Sequence, residues 1–259
     1  MEIKLNSAYS KNFKNINISL FENQITSFIG CNGCGKSYLL NLIIGLNKLD
    51  KGSIEYKDIK LDNKSIKNII YYLEEDYSKM LFNINIIEDF KFYLGNFNKE
   101  RLFELLKKFN LDIEILNKNY IELSSSEVRK ILLIIGLMTE KQIIIFENPN
   151  IKLDNKAKQT LIKELKRLKR NNKIIIITSY DTDFLLEVSD KILVIDKNKI
   201  IIENNKFEVL SNKKLLKKIN LQIPDTLNFI NEVKEIKNIK IGYRDNINDL
   251  LKDIYRYAK

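Results

Sequence analysis

The chain has 259 residues, 44 Lys and Arg against 34 Asp and Glu for a formal charge of +10, two cysteines and no histidine. Without histidine there is no Ser-His or Cys-His nucleophilic pair, and two cysteines alone leave zinc short of ligands. Apolar runs such as 131–138 fall well below the roughly 18 residues that span a bilayer, and 1–4 lack a secretory core, so a soluble, intracellular protein is expected.

The lysines are spread among Asn and Ile rather than massed, which reads as solvated surface and gives no reason to expect nucleic acid. Only two prolines and eight glycines interrupt the chain. No linker announces a boundary, and the length suits one large domain or one domain with a small appendage.

Met1 to Phe21 alternates polar and apolar residues in two short β-like stretches, and Ile25 to Ile29 continues as a third. Next come Gly30, Cys31, Asn32, Gly33, Cys34, Gly35, Lys36 and Ser37, which spell G-x-x-x-x-G-K-S between that strand and a helix expected from about Lys36 to Leu46. Glycines let such a loop curl its N–H groups around a phosphate, aided by the helix N-terminus. Lys36 is placed to reach the β- and γ-phosphates and Ser37 to ligate Mg²⁺. Cys31 and Cys34 also form C-x-x-C, where a helix N-terminus lowers a thiol pKa. They read either as redox thiols, with a reversible disulfide, or as small residues at variable loop positions; only the second also accounts for Gly30, Gly35, Lys36 and Ser37.

Strands are expected at Gly52 to Tyr56 and Ile69 to Leu73, and a helical pattern from about Tyr77 to Met138. Within it Ser124-x-x-Glu127 forms a capping box ahead of an apolar helix. Buried strands at Gln142 to Phe146 and Lys173 to Thr178 flank a helix whose apolar face is Ala157, Leu161, Leu165 and Leu168. That alternation implies right-handed crossovers and a largely parallel sheet. A hairpin around Asp196-Lys197-Asn198 and helical patterns at Thr226 to Lys234 and Asn248 to Tyr255 complete the chain.

From Tyr9 to about Phe207 these elements resemble the nucleotide-binding domain of ATP-binding cassette proteins. The matching residues are the phosphate loop, Gly45-Leu46 followed by Asp50, Gly52 and Ile54, then Leu123-Ser124-Ser125-Ser126-Glu127 at the family's signature, Phe146-Glu147-Asn148-Pro149 at its second phosphate-site strand, and Leu153-Asp154 at its dimer-contacting loop. Leu81-Phe82 followed by Ile86, Glu88 and Asp89, and later Ile223-Pro224, resemble the energy-coupling-factor group of vitamin and metal importers. The resemblance implies an α/β fold: a P-loop NTPase (RecA-like) core with a mainly parallel sheet, an antiparallel β subdomain and an inserted α-helical subdomain at about 77–138. It implies a cassette domain over 1–220 and a small helical extension over 221–259. It further implies ATP and Mg²⁺ as ligands, Tyr9 stacked on adenine, and a second cassette ATPase as heterodimer partner. An integral membrane subunit would dock on the helical subdomain and hold the protein at the inner face of the cell membrane. A regulatory or scaffold cassette protein without a transporter is the alternative.

Several positions depart from that family's pattern. Ser125 and Ser126 replace Gly-Gly in the signature, and Glu147 replaces an Asp that holds Mg²⁺. Asn148 replaces the glutamate that polarises the attacking water, and Tyr180 replaces the His that senses the γ-phosphate. Glu75, or Glu74 by one register, replaces the Gln near Mg²⁺. The expectation is retained nucleotide binding through the phosphate loop and Ser124 to Glu127, with Ser37, Glu75 and Glu147 toward metal and little hydrolysis.

Overall fold

The computed structural model describes residues 1–77, 80–237 and 242–257. The chain opens with β1 (Glu2–Tyr9) and β2 (Ile16–Phe21), an antiparallel pair, then β3 (Gln24–Ile29) and α1 (Lys36–Ile43). β4 (Lys51–Tyr56) and β5 (Ile59–Lys60) follow, then α2 (Asn63–Ile69) and β6 (Ile70–Leu73). β1, β2, β4 and β5 form an antiparallel sheet in the order β2-β1-β4-β5. Its central strand bulges between Leu5 and Ala8, and a Cβ on Gly52 would lie 2.4 Å from the Ser7 carbonyl oxygen, so this position of β4 requires glycine.

β3 does not continue that meander. Every residue from Ile25 to Ile29 is buried, and such a strand needs cover on both faces. It sits inside a second sheet with β6, β7 (Ile143–Glu147), β8 (Ile174–Thr178) and β9 (Lys191–Asp196), all parallel, and β10 (Lys199–Asn205) antiparallel at one edge. The order β10-β9-β3-β8-β7-β6 puts β3 at the middle. Alternation divides these strands between two cores: Phe28, Ile143, Ile145, Ile174 and Ile176 pack toward α1 and the antiparallel sheet, and Ile29, Ile144, Phe146, Ile175 and Ile177 toward the helices.

The segment expected to be helical is broken into α3 (Ile86–Leu94), α4 (Lys99–Lys108), two 3₁₀ turns at Ile113–Asn117 and Tyr120–Glu122, and α5 (Ser125–Met138); positions 78 and 79 lie outside the described residues. Asparagine does the breaking. Asn85, Asn98 and Asn119 cap α3, α4 and the second 3₁₀ turn, each side chain accepting a backbone N–H, and Asp112 caps the first turn in the same way. With few glycines available, Asn15, Asn23, Asn110, Asn172, Asn198 and Asn220 also take the left-handed backbone positions of turns. α5 lies close on the sheet, since a Cβ on Gly136 would be 2.6 Å from both the Phe146 and Tyr71 rings.

α6 (Asn155–Lys169) crosses between β7 and β8, followed by α7 (Thr182–Val188), α8 (Lys206–Leu210), α9 (Lys213–Lys218), α10 (Asp225–Lys237) and α11 (Ile247–Tyr257). Leu227, Ile230 and Leu250 are fully buried in the same core as α5 and α6, so the tail packs on the body of the protein. Among the described residues no helix is long and apolar enough to cross a membrane.

Candidate functional site

Strand register decides what meets at the C-terminal edge of the parallel sheet. Phe28 aligns with Thr178, Thr178 with Glu147, and Phe146 with Leu73. The chain leaving each strand therefore delivers Gly30, Ser179-Tyr180, Asn148 and Glu74-Glu75 in one row, the position where open α/β sheets bind ligands.

The phosphate loop is built around glycine. A Cβ on Gly30 would lie 2.2 Å from the Ile195 carbonyl oxygen and 2.5 Å from Cys34 Sγ, and one on Gly35, at φ +109°, 2.3 Å from Asn198 Oδ1. Gly33, at φ +72°, faces open space. The Lys36 ammonium is drawn into the concavity, donating to the carbonyl oxygens of Gly30 at 2.8 Å and Cys31 at 2.9 Å, and lies 4.9 Å from the centre of the Tyr180 ring. No acidic residue occupies the first turn of α1. Lys36, Ser37, Gly33, Gly35, Tyr180, Asn12 and Asn198 line a cleft of about 360 Å³. Tyr9, partly exposed at the end of β1, is outside its wall, as are Ser124 to Glu127.

The two cysteines are free thiols. Burial pushes the Cys34 thiol above its ordinary value, opposed by the Lys36 charge. That is the reverse of the low-pKa thiol that a redox reading of C-x-x-C requires, and it favours the other reading, Cys34 as a small residue filling the loop.

Glu147 is buried, and its Oε2 accepts the Glu75 backbone N–H at 3.3 Å. Burial, and then the Glu147 charge beside it, holds the Tyr72 phenol well above the usual tyrosine range. Asn148 takes a left-handed backbone at φ +44° and donates from its backbone N–H to the Thr178 carbonyl at 2.9 Å. Its Nδ2 donates to Glu75 Oε2 at 2.7 Å, while its Oδ1 is buried without a hydrogen-bond partner. Of the two candidates for that loop position, Glu75 is the one whose side chain reaches Asn148; Glu74 offers its carbonyl oxygen to Arg129 at 3.0 Å.

Ser124 caps α5 in the expected box: its N–H donates to Glu127 Oε2 at 2.8 Å and its Oγ accepts the Glu127 N–H at 3.3 Å. Ser124 and Ser125 are solvent-exposed. Lys130, one turn in, pairs at 3.4 Å with Asp154 of the loop after β7.

Arg129 is the residue that sequence reasoning passed over. It is 1% exposed and donates to the carbonyl oxygens of Glu74, Glu147 and Asn148, joining α5 to the ends of β6 and β7. Tyr77 lies 5.1 Å from the guanidinium and donates to the Ser125 carbonyl at 3.0 Å. The signal was present: Arg129 precedes Leu132, Leu133 and Gly136 by three, four and seven residues and so shares their buried face.

Comparison with known proteins agrees with this geometry. A family model described as "ABC transporter" matches residues 13–150, more than half of the chain. The chain belongs to the ABC transporter family. It is similar to the "Energy-coupling factor transporter ATP-binding protein EcfA3" of Oenococcus oeni, 26% identical over 97% of this chain and 92% of that protein. It is equally similar, at 26% over 96% of this chain and 94% of the relative, to the "Energy-coupling factor transporter ATP-binding protein EcfA1" of Mycoplasma genitalium. Among solved structures, cbiO1 from Clostridium perfringens, described as part of the ABC transporter complex cbiONQ, superimposes with a TM-score of 0.68 at 23% identity, covering 88% of this chain and 98% of that one. An ATP-binding subunit of an ABC transporter gives a TM-score of 0.73 at 16% identity, covering 89% and 99%. The resemblance to the energy-coupling-factor group and the P-loop α/β fold with its parallel sheet are thereby shown for this chain.

Proposed function

We propose that this chain is the ATP-binding subunit of an energy-coupling-factor-type importer, pairing with a second cassette ATPase and closing on MgATP. The observation that carries the reading is the convergence of Lys36, Tyr180, Asn148 and Glu75 on one sheet edge, beside a loop whose Gly30 and Gly35 leave room only for backbone. A polyphosphate fits this donor set, with one buried ammonium, a helix N-terminus and no competing acid in its first turn. For Mg²⁺, Ser37, Glu147 and Glu75 supply hard oxygens, and one or two carboxylates with substrate phosphates are what that ion takes. When bound, it would neutralise charge on the phosphates.

The signature lies away from this cleft. Exposed Ser124 and Ser125 at the start of α5 therefore suit a partner's nucleotide, and this chain's own nucleotide a partner's signature. Asn148 carries an amide where proton abstraction needs a base, and a positioned base contributes about 10²–10⁴-fold, so turnover at this chain's phosphate loop is slow.

Exposed apolar residues on the helical insert support a membrane partner. The Phe82 and Phe92 rings meet edge-on at 4.9 Å and are both exposed, and Ile84, joined through its carbonyl to Asn119 at 3.0 Å, is exposed on the same insert. Exposed apolar side chains gathered on one insert suit a docking site. That docking would hold the protein at the inner membrane face. Pull-down from native membranes tests the assignment: a second cassette ATPase and an integral membrane protein should co-purify, and an unpartnered chain found only in the soluble fraction would favour a regulatory role.

A further inference from the structure

The turn between β9 and β10 reaches the phosphate loop from the other end of the cassette. Asn198 stands in that turn with a left-handed backbone at φ +57°, and its backbone N–H donates to the Cys34 carbonyl oxygen at 2.9 Å, so the hairpin is fastened to the loop. Its side chain lies on the same loop. Oδ1 takes the space of a Cβ on Gly35, 2.3 Å from where that atom would be, and the Phe13 ring is 3.0 Å from the same point. Asn198 therefore lines the cleft beside Lys36, Ser37 and Tyr180, and among the described residues no carboxylate lines it. The half-buried amide makes no side-chain hydrogen bond to a described residue. A left-handed turn alone accounts for an asparagine, as at Asn172 and Asn220, but not for an amide laid against the glycine that opens α1.

We propose that Asn198 is a phosphate ligand of the nucleotide site, its Nδ2 donating to an oxygen of the phosphate seated on the N-terminus of α1. This rests on the ATP-site reading above and adds to it a contact from a hairpin outside the motifs that carry that reading. With Oδ1 against Gly35, Nδ2 is the end left to bond, and an amide nitrogen only donates. A phosphate held by the N–H groups that open α1 lies next to Gly35, the N-cap of that helix, and hence next to Asn198. The amide is neutral, so it fixes one oxygen by direction and leaves the charge to Lys36. A bond to an ionised phosphate is still one of the stronger kind.

The test is titration of the full chain with a fluorescent ATP analogue and Mg²⁺, and its competition by inorganic tripolyphosphate, for wild type, Asn198→Gly and Asn198→Asp. Glycine takes the left-handed backbone without strain, so Asn198→Gly keeps the turn and removes only the amide. Affinity for both ligands should fall about tenfold. Asn198→Asp keeps the shape and tolerates the same backbone, but sets a carboxylate against phosphate; affinity should fall at least about a further tenfold. An asparagine serving the turn alone predicts wild-type binding in both variants, and that result overturns the proposal. Equal losses in the two variants overturn it as well, because the charge of the side chain would then be immaterial to the ligand. So does a loss seen with the ATP analogue and not with tripolyphosphate, which would put Asn198 on the nucleoside. Failure of the wild-type chain to bind either ligand would instead overturn the ATP-site reading itself.

Discussion

The Lys36 ammonium lies 4.9 Å from the Tyr180 ring centre while donating to two carbonyl oxygens of its own loop, so its charge is already engaged before any ligand arrives. Phosphate must displace these contacts, and charge-assisted hydrogen bonds contribute about 1.5–3 kcal/mol each against about 0.5–1 kcal/mol for a cation over an exposed ring. Lys36→Ala is therefore expected to weaken ATP binding by about tenfold to a hundredfold, and Tyr180→Ala by less than about fivefold. Calorimetric titration of both variants checks this; equal affinity of Lys36→Ala and wild type would show that the loop does not bind phosphate.

Legibility of the sequence followed periodicity and motif length. The glycines and Lys36 fixed the loop because each has one mechanical role, and the Ile-rich β7 and β8 were plain because strands buried on both faces read as continuous apolar runs. The membership of β3 in the parallel sheet was not plain, since an apolar strand carries no mark of its neighbours. Short α2, α7, α8 and α9 escaped because five to seven residues hold too few turns for a periodic signal, and because their Asp and Asn caps sit in a chain rich in both. In the site, Glu75 was placed by spacing. Its bond to Asn148 and the reach of Arg129 are tertiary and had no local signature.

Arg129 should be a stability determinant disguised as a signature-helix residue. Burial lowers its guanidinium pKa, and the geometry offsets that cost with three carbonyl acceptors on two strand ends. Arg129→Met would leave those carbonyls unpaired in a dry site, a loss of about 3 kcal/mol or more in urea unfolding. Arg129→Lys should recover only part, because a point charge cannot span what a planar fork does. A loss below about 1 kcal/mol in Arg129→Met would show that the tie is not structural.

Acid should loosen the packing of α4 on α6. Burial raises the Glu164 pKa, but hydrogen bonds from Lys108, at 2.7 Å, and Arg101 outweigh it and the net shift is downward; the same two cations lower Glu104 to about 2. Both carboxylates are depressed from their ordinary value of 4.5, so the stability they contribute is fully present above that pH and is lost as pH falls through the folded-state values. Glu164→Gln should lower the urea midpoint at pH 7 and flatten its fall on acidification relative to wild type. Parallel curves for the two proteins would rule out this linkage.

The signature serines offer a prediction about the opposite composite site. In the heterodimer proposed above, Ser124 to Glu127 of this chain would face the nucleotide bound by the partner, whose own base would carry turnover there. The cap of α5 is made by Ser124 and Glu127, so Ser125 and Ser126 are free of that duty and their side chains stand at the helix N-terminus where a phosphate would approach. Replacing both by glycine keeps the cap and removes the obstruction, at a helix-propensity cost of about 0.5 kcal/mol each. Ser125→Gly with Ser126→Gly should thus raise steady-state ATPase of the co-purified complex while slightly lowering its melting temperature. Lys36→Ala in the same complex should mainly weaken nucleotide-driven closure, since on the proposed reading its own site contributes little turnover. An unchanged rate in the glycine variant, together with undiminished closure in Lys36→Ala, would mean that the two sites are not divided between clamp and catalyst in this way.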